Sequence, residues 1–285
     1  MAMPRCLALF VALLAAAQPG ATRVVEELTD LTVTAANARG QSVTHSIKLT
    51  IFRDDAVPRA PFLVLNHGRP AKAEDFVKMG RQRYSDNSKY FVARGFVVLV
   101  PTRIGYGITG GEDVEDSGGC LAKNYPPVYE AAAQQTLQVL EHARTLPYVD
   151  TERGLVLGQS FGGATAIAVA AKNVPGVVAA VNFAGGGGGN PVLRPADPCR
   201  PDQLRRLFAS LGATARTPTL WFYSENDKYF GKEYPQEWFK AFVSAGGKGE
   251  FVQLPPHGED GHAIFSRNPS AWRPVFEDFL RRNGL

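Results

Sequence analysis

From residue 61 onward, short continuous apolar runs alternate with longer segments of helical character. The runs occupy residues 61–66, 96–100, 154–157, 177–183 and 219–223, and a last strand is expected over 249–254. A short apolar run bounded by Gly, Pro or Asn reads as a strand buried on both faces. Between and after them, residues 85–94, 128–146, 164–172, 202–211, 232–245 and 270–282 read as helices, the first capped by Ser85 and ended by Gly95. This alternation implies a mostly parallel sheet with helices on both faces. Residues 24–35 and 41–52 are different: apolar residues alternate with polar ones, and a turn at 37–40 separates them. They predict an antiparallel hairpin at the sheet edge, with His45 on a strand face.

Ligands of such sheets sit at the carboxyl ends of the strands. One strand end stands out. The run 154–157 leads into Gly158-Gln159-Ser160-Phe161-Gly162-Gly163 and then into an Ala-rich segment. Strand, sharp turn and helix around G-x-S-x-G form a nucleophile elbow. The strained turn pushes the Ser hydroxyl forward, so the positions two before and two after it have no room for a Cβ. The helix N-terminus favours developing negative charge there. With 29 glycines in the chain, the pattern alone has a blander reading, a tight turn with an inert Ser. The context of strand and helix, and two further strand ends, favour the elbow.

The strand at 61–66 ends in Asn66-His67-Gly68-Arg69-Pro70. Its turn can supply half of an oxyanion hole, with the Arg69 N–H as donor and His67 orienting the loop; Pro70 has no N–H to offer. The other donor is the N–H of Phe161. The strand at 219–223 ends in Ser224-Glu225-Asn226-Asp227, and the one at 249–254 leads into His257 and Asp260-Gly261-His262. Ser160, Asp227 and His262 thus follow three strands on one edge. A Ser hydroxyl is a poor nucleophile at neutral pH; a neutral His can take its proton and a carboxylate can hold the imidazole tautomer. Asp227 competes with Glu225 and Asp260, and His262 with His257. Asp227 is preferred for its place in the turn, His262 for its place just before the last helix.

The long stretch from residue 103 to 127 shows no helix or strand pattern and reads as a wall of the site. Arg103 and Tyr106 are its candidate substrate-binding side chains. Glu112, Asp113, Glu115 and Asp116 lack calcium-loop spacing and read as a solvated acidic loop, with no metal expected. The five consecutive glycines at 185–189 have no P-loop continuation and read as closely approached backbone. Residues 185–217, where related enzymes insert a cap, are too few for a separate cap domain.

The net charge of +4 is spread along the chain, so no nucleic acid is expected as partner. Residues 1–17 carry one early positive charge, an apolar run and Ala15-Ala16-Ala17 before Gln18. They read as a secretory signal peptide, too short for a stable membrane anchor, followed by a single domain over 18–285. The location expected is the periplasm or the outside of the cell. Cys6 precedes the apolar run and is not a lipid-attachment site. Export leaves Cys120 and Cys199, which an oxidising compartment would pair, the alternative being two free thiols.

Asn66-His67-Gly68, the elbow, Asn226-Asp227 and Gly261-His262 together resemble the α/β-hydrolases, closest to the dienelactone-hydrolase-like serine esterases, over the chain from about residue 60. The resemblance implies the α/β-hydrolase fold and an acyl-enzyme route without cofactor. Typical dienelactone hydrolases use Cys as nucleophile. Ser160 in that place moves the expectation from lactones to a general carboxylic ester hydrolase acting on small-molecule esters. Two alternatives are a serine peptidase of the prolyl-oligopeptidase type and a non-catalytic binding protein. The residues before 60 are too few for the propeller that gates such peptidases, and every triad type is present.

Overall fold

The computed structural model describes residues 22–285; residues 1–17, expected to be a signal peptide, and Cys6 among them lie outside the described residues. Strands β1 (Val24–Ala36) and β2 (Ser42–Asp54) form the expected hairpin, in register from Val24↔Asp54 to Ala36↔Ser42. Asn37 closes the turn, its Oδ1 accepting from the N–H groups of Arg39 and Gln41, both at 3.0 Å. Then follow β3 (Ala60–Asn66), α1 (Ser85–Ala93), β4 (Val97–Thr102), α2 (Tyr125–Thr145), β5 (Val149–Gln159), α3 (Phe161–Ala170) and β6 (Val177–Phe183). The chain ends with α4 (Pro201–Thr214), β7 (Thr219–Ser224), α5 (Glu233–Ser244), β8 (Gly249–Leu254), the short α6 (Ile264–Arg267) and α7 (Pro269–Arg282).

The strands make one eight-stranded sheet in the order β1-β2-β4-β3-β5-β6-β7-β8. Among the described residues only β2 runs against the rest, being antiparallel to both β1 and β4. The near-continuous apolar runs are explained by two cores. Val64, Leu99, Val156, Ala180 and Trp221 pack beneath α2, α3, α4 and α5. Leu63, Val98, Leu155, Val181 and Phe222 face α1, α6 and α7. With period-two side chains and both faces covered, the middle of a central strand reads as a near-continuous apolar run. Each large side chain so buried contributes about 1.5–3 kcal/mol. Helix α3 is buried on all sides, which its Ala-rich sequence permits.

Several boundaries differ from the sequence expectation, each for a local reason. Helices α2, α4 and α7 begin earlier, taking prolines into their first turns, where the missing N–H would be unpaired in any case. Helix α1 is preceded by Tyr84 in the left-handed region rather than capped by Ser85. Strand β4 continues through Pro101, which pairs with Leu49. The β3 ladder has already ended at Val64↔Leu99, leaving a side of β4 on which an absent N–H costs nothing. Strand β5 starts at Val149 through a polar stretch that shows no apolar signal. Among the described residues, no helix is long and apolar enough to cross a membrane.

Candidate active site

Ser160 sits between β5 and α3 with φ 56° and ψ −125°, a conformation costly for any residue with a Cβ. Packing holds it there. A Cβ at Gly158 would lie 2.2 Å from the Gly162 carbonyl oxygen, and one at Gly162 would lie 2.1 Å from that of Asn66. The Ser160 N–H donates to the Phe183 carbonyl at 2.9 Å, and its own carbonyl accepts from Gly163 at 2.8 Å and Gly186 at 3.3 Å. The turn is therefore tied both to the neighbouring strand and to the glycine segment that follows it.

Asp227 and His262 come from the loops after β7 and β8. His262 Nδ1 and Asp227 Oδ2 are 2.9 Å apart, and both side chains are buried. The other carboxylate oxygen of Asp227 accepts from the N–H groups of Tyr229 at 2.7 Å and Phe230 at 3.0 Å. With the carboxylate as acceptor, Nδ1 is the donor and Nε2 keeps its lone pair. Of the rivals, Asp260 braces the loop by accepting from the N–H groups of Lys228 and His262, both at 3.0 Å. Glu225 pairs at the surface with Lys232. His257 joins the loop through its backbone N–H to Asn226.

Ser160 and His262 flank one cleft together with Gly68, Arg69 and Tyr229. No hydrogen bond joins Ser160 Oγ to His262 among the described residues; catalytic hydrogen bonds are often long before substrate binds. A Cβ on Gly68 would stand 3.1 Å from that of Ser160 and 3.7 Å from its hydroxyl. The 67–69 turn thus runs directly beside the Ser160 hydroxyl. Neither the Arg69 N–H nor the Phe161 N–H has an acceptor among the described residues.

His67 organises this turn. Its Nδ1–H donates to the Gly68 carbonyl at 2.7 Å, and its Nε2 accepts from the Arg103 N–H at 3.1 Å. Complete burial and the adjacent Arg103 charge hold its pKa well below the usual value, so the ring is neutral.

Arg103 and Tyr106 are not where the sequence reading put them. Both are fully buried and neither lines the cleft. Arg103 forms a fork with Glu115 at 2.6 and 3.1 Å and donates to the His67 carbonyl at 2.9 Å. The Tyr106 hydroxyl donates to Glu115 at 2.7 Å and accepts from Arg69 at 2.6 Å. Glu115, expected on a solvated loop, is 0% exposed. The stretch folds inward because it brings its own counter-charge: a buried Arg needs a carboxylate, and Glu115 supplies it. Asp113 likewise takes the Arg69 guanidinium, at 2.5 and 2.7 Å.

The same long stretch does wall the site further on. Ser117, Cys120 and Lys123 line a cavity of about 230 Å³ that also contains Ser160, Phe161 and the glycines 186–189. Cys120 and Cys199 form a disulfide, Cα atoms 5.0 Å apart, joining two walls of that cavity. The glycines are needed for close approach, since a Cβ at Gly186 would meet the Trp238 and Phe230 rings at 2.9–3.0 Å. Tyr229 and Phe230, which pack on the His262 ring at 3.9 and 5.2 Å, escaped the sequence reading. Their only signal was position, two and three residues after Asp227.

A family model described as "Alpha/beta hydrolase family" matches residues 62–281. The chain belongs to that family. The hydrolase has solved structures of similar fold. A predicted CIB-like hydrolase from Thermoplasma acidophilum aligns with a TM-score of 0.56 and 16% identity over 90% of this chain and 100% of the other. A putative dienelactone hydrolase from Klebsiella pneumoniae gives 0.54 and 16%, over 90% and 98%. The acylaminoacyl peptidase of Pyrococcus horikoshii gives 0.63 and 15%, with 90% of the hydrolase covering 42% of that longer chain. At such identities the likeness concerns the fold. No curated protein matches the hydrolase in sequence.

Proposed function

We propose that this hydrolase is an exported serine esterase that cleaves small carboxylic esters through an acyl-enzyme. Ser160 is the nucleophile, His262 the general base and then acid, and Asp227 the carboxylate that holds the imidazole. The Arg69 and Phe161 N–H groups receive the oxyanion. The observation that carries the reading is the 2.9 Å contact of His262 Nδ1 with Asp227 on the edge where Ser160 stands in its strained turn. His262 Nε2 accepts the Ser160 proton as Oγ attacks the carbonyl carbon. The proton then passes to the leaving alcohol. A water repeats the sequence to release the acid. Loss of one oxyanion donor would cost about 2.7–4 kcal/mol of barrier stabilisation.

Labelling with a fluorophosphonate and mapping of the modified peptide test the nucleophile. The expected result is a single adduct on Ser160, absent in Ser160→Ala, which retains its melting temperature but hydrolyses no p-nitrophenyl ester. An active Ser160→Ala would remove Ser160 from the mechanism. Turnover of aminoacyl-nitroanilides without turnover of p-nitrophenyl esters would replace the esterase by a peptidase.

A further inference from the structure

The cavity beside Ser160 is electrostatically one-sided. Three cationic residues line it, Arg69, Lys123 and Arg194, and no Asp or Glu does among the described residues. Their partners differ. Arg69 is neutralised by its fork to Asp113. Lys123 Nζ donates only to neutral oxygens, the Ser117 hydroxyl at 3.1 Å and the Gly118 carbonyl. Arg194 donates to the Gly188 carbonyl at 3.3 Å and to Cys199 Sγ. Neither Lys123 nor Arg194 forms an ion pair with a carboxylate among the described residues.

Such an arrangement costs stability unless something offsets it. Partial burial lowers the Lys123 pKa, and the nearby Arg69 and Arg194 charges lower it further, against a pull from Asp116 and Asp113. Both Lys123 and Arg194 stand on the two walls joined by the Cys120–Cys199 bridge. An anion entering the cavity would meet two charge-assisted donors from opposite sides of the bridge.

We propose that Lys123 and Arg194 form a carboxylate-recognition subsite, so that the preferred substrates are short esters carrying a free carboxylate away from the scissile bond. The inference rests on the esterase reading for the reaction, but the subsite stands on the cavity itself. The volume of about 230 Å³ suits a chain of few carbons, such as the hemi-ester of a small dicarboxylic acid.

The test compares monoethyl glutarate with ethyl butyrate. The expected kcat/KM ratio favours the hemi-ester by roughly tenfold or more, and the preference shrinks as salt is added. Lys123→Gln and Arg194→Gln should each bring the ratio towards one, while Arg194→Lys should keep most of it. Calorimetry of glutarate with Ser160→Ala gives a reading free of turnover. Binding is expected there and should be lost when Lys123→Gln and Arg194→Gln are added. A ratio near one in the unmodified protein, with no glutarate binding, overturns the subsite and leaves the esterase standing. Glutarate binding that the substitutions abolish, in a protein that cleaves neither ester, would keep the subsite and overturn the esterase. A ratio that survives both glutamine variants would also overturn the subsite.

Discussion

The Tyr229 ring lies flat on the His262 imidazole, with centroids 3.9 Å apart and planes 20° from parallel. The same residue donates its backbone N–H to Asp227. One position therefore supports both the ring and the carboxylate that orients it. Aromatic contacts of this kind are worth about 0.5–1.5 kcal/mol. Tyr229→Ala should lower kcat by a factor of roughly two to ten with a smaller change in KM. Tyr229→Phe should be near the unmodified rate. Steady-state kinetics on p-nitrophenyl acetate distinguish them.

Gly68 and Gly162 should respond differently to an added methyl group. At Gly162 the obstacle is backbone, the Asn66 oxygen at 2.1 Å, so the turn must move. Gly162→Ala should destabilise the fold by about 1–3 kcal/mol or more, seen in denaturant titration. At Gly68 the nearest atom is Ser160 Cβ at 3.1 Å. Gly68→Ala should leave the unfolding midpoint nearly unchanged and reduce turnover, because the methyl group intrudes beside the hydroxyl.

Arg103 and Glu115 have fully buried side chains, and removing either strands the other. Arg103→Ala should cost about 3–5 kcal/mol of stability. If Arg103 contacted substrate instead, KM would rise while the melting temperature held. Calorimetric unfolding together with kinetics separates the two.

His67 should make stability fall as the solution is acidified. Its folded pKa is depressed from the ordinary 6.5 by burial and by Arg103. Above that value neither folded nor unfolded chain binds the proton, and the residue contributes no pH dependence. Below it the unfolded chain is protonated and the folded one is not, so stability drops by up to about 1.4 kcal/mol per pH unit until the folded pKa is reached. Denaturant titrations between pH 7.5 and 5 should show a shallower slope in His67→Gln than in the unmodified protein.

The bridge between Cys120 and Cys199 closes a separation of 79 residues. Cys120→Ser should lower stability by about 2–4 kcal/mol, measured by thermal unfolding without reductant. Proteolysis should then nick first near residues 118–124, which the bridge ties to the opposite wall.

Much of the fold was legible because its signals are local. Continuous apolar runs mark strands covered on both faces, and the Ala-rich run after Ser160 marks a helix with no solvent face. The elbow was legible for the same reason: the turn demands glycine where β5 meets α3, whatever lies elsewhere. Prolines misled at three helix starts, since a breaker of helix interiors is at home in a first turn. The 103–124 stretch was misread more deeply. Its charges suggested water, and nothing in their spacing announced that Glu115 would turn inward to meet Arg103.

What the chain determined by itself was therefore the alternation of strands and helices, the strained Ser160 turn, and the order in which Ser160, Asp227 and His262 reach one sheet edge. These follow from backbone sterics and from hydrophobic periodicity, which act over a few neighbours. Tertiary structure alone decided which acid meets His262, that Arg103 and Tyr106 support the site from within, and that Lys123 and Arg194 face one cavity. Such choices depend on which distant loops close together, and on where a charge finds its partner once water is excluded. No short stretch of sequence contains that information.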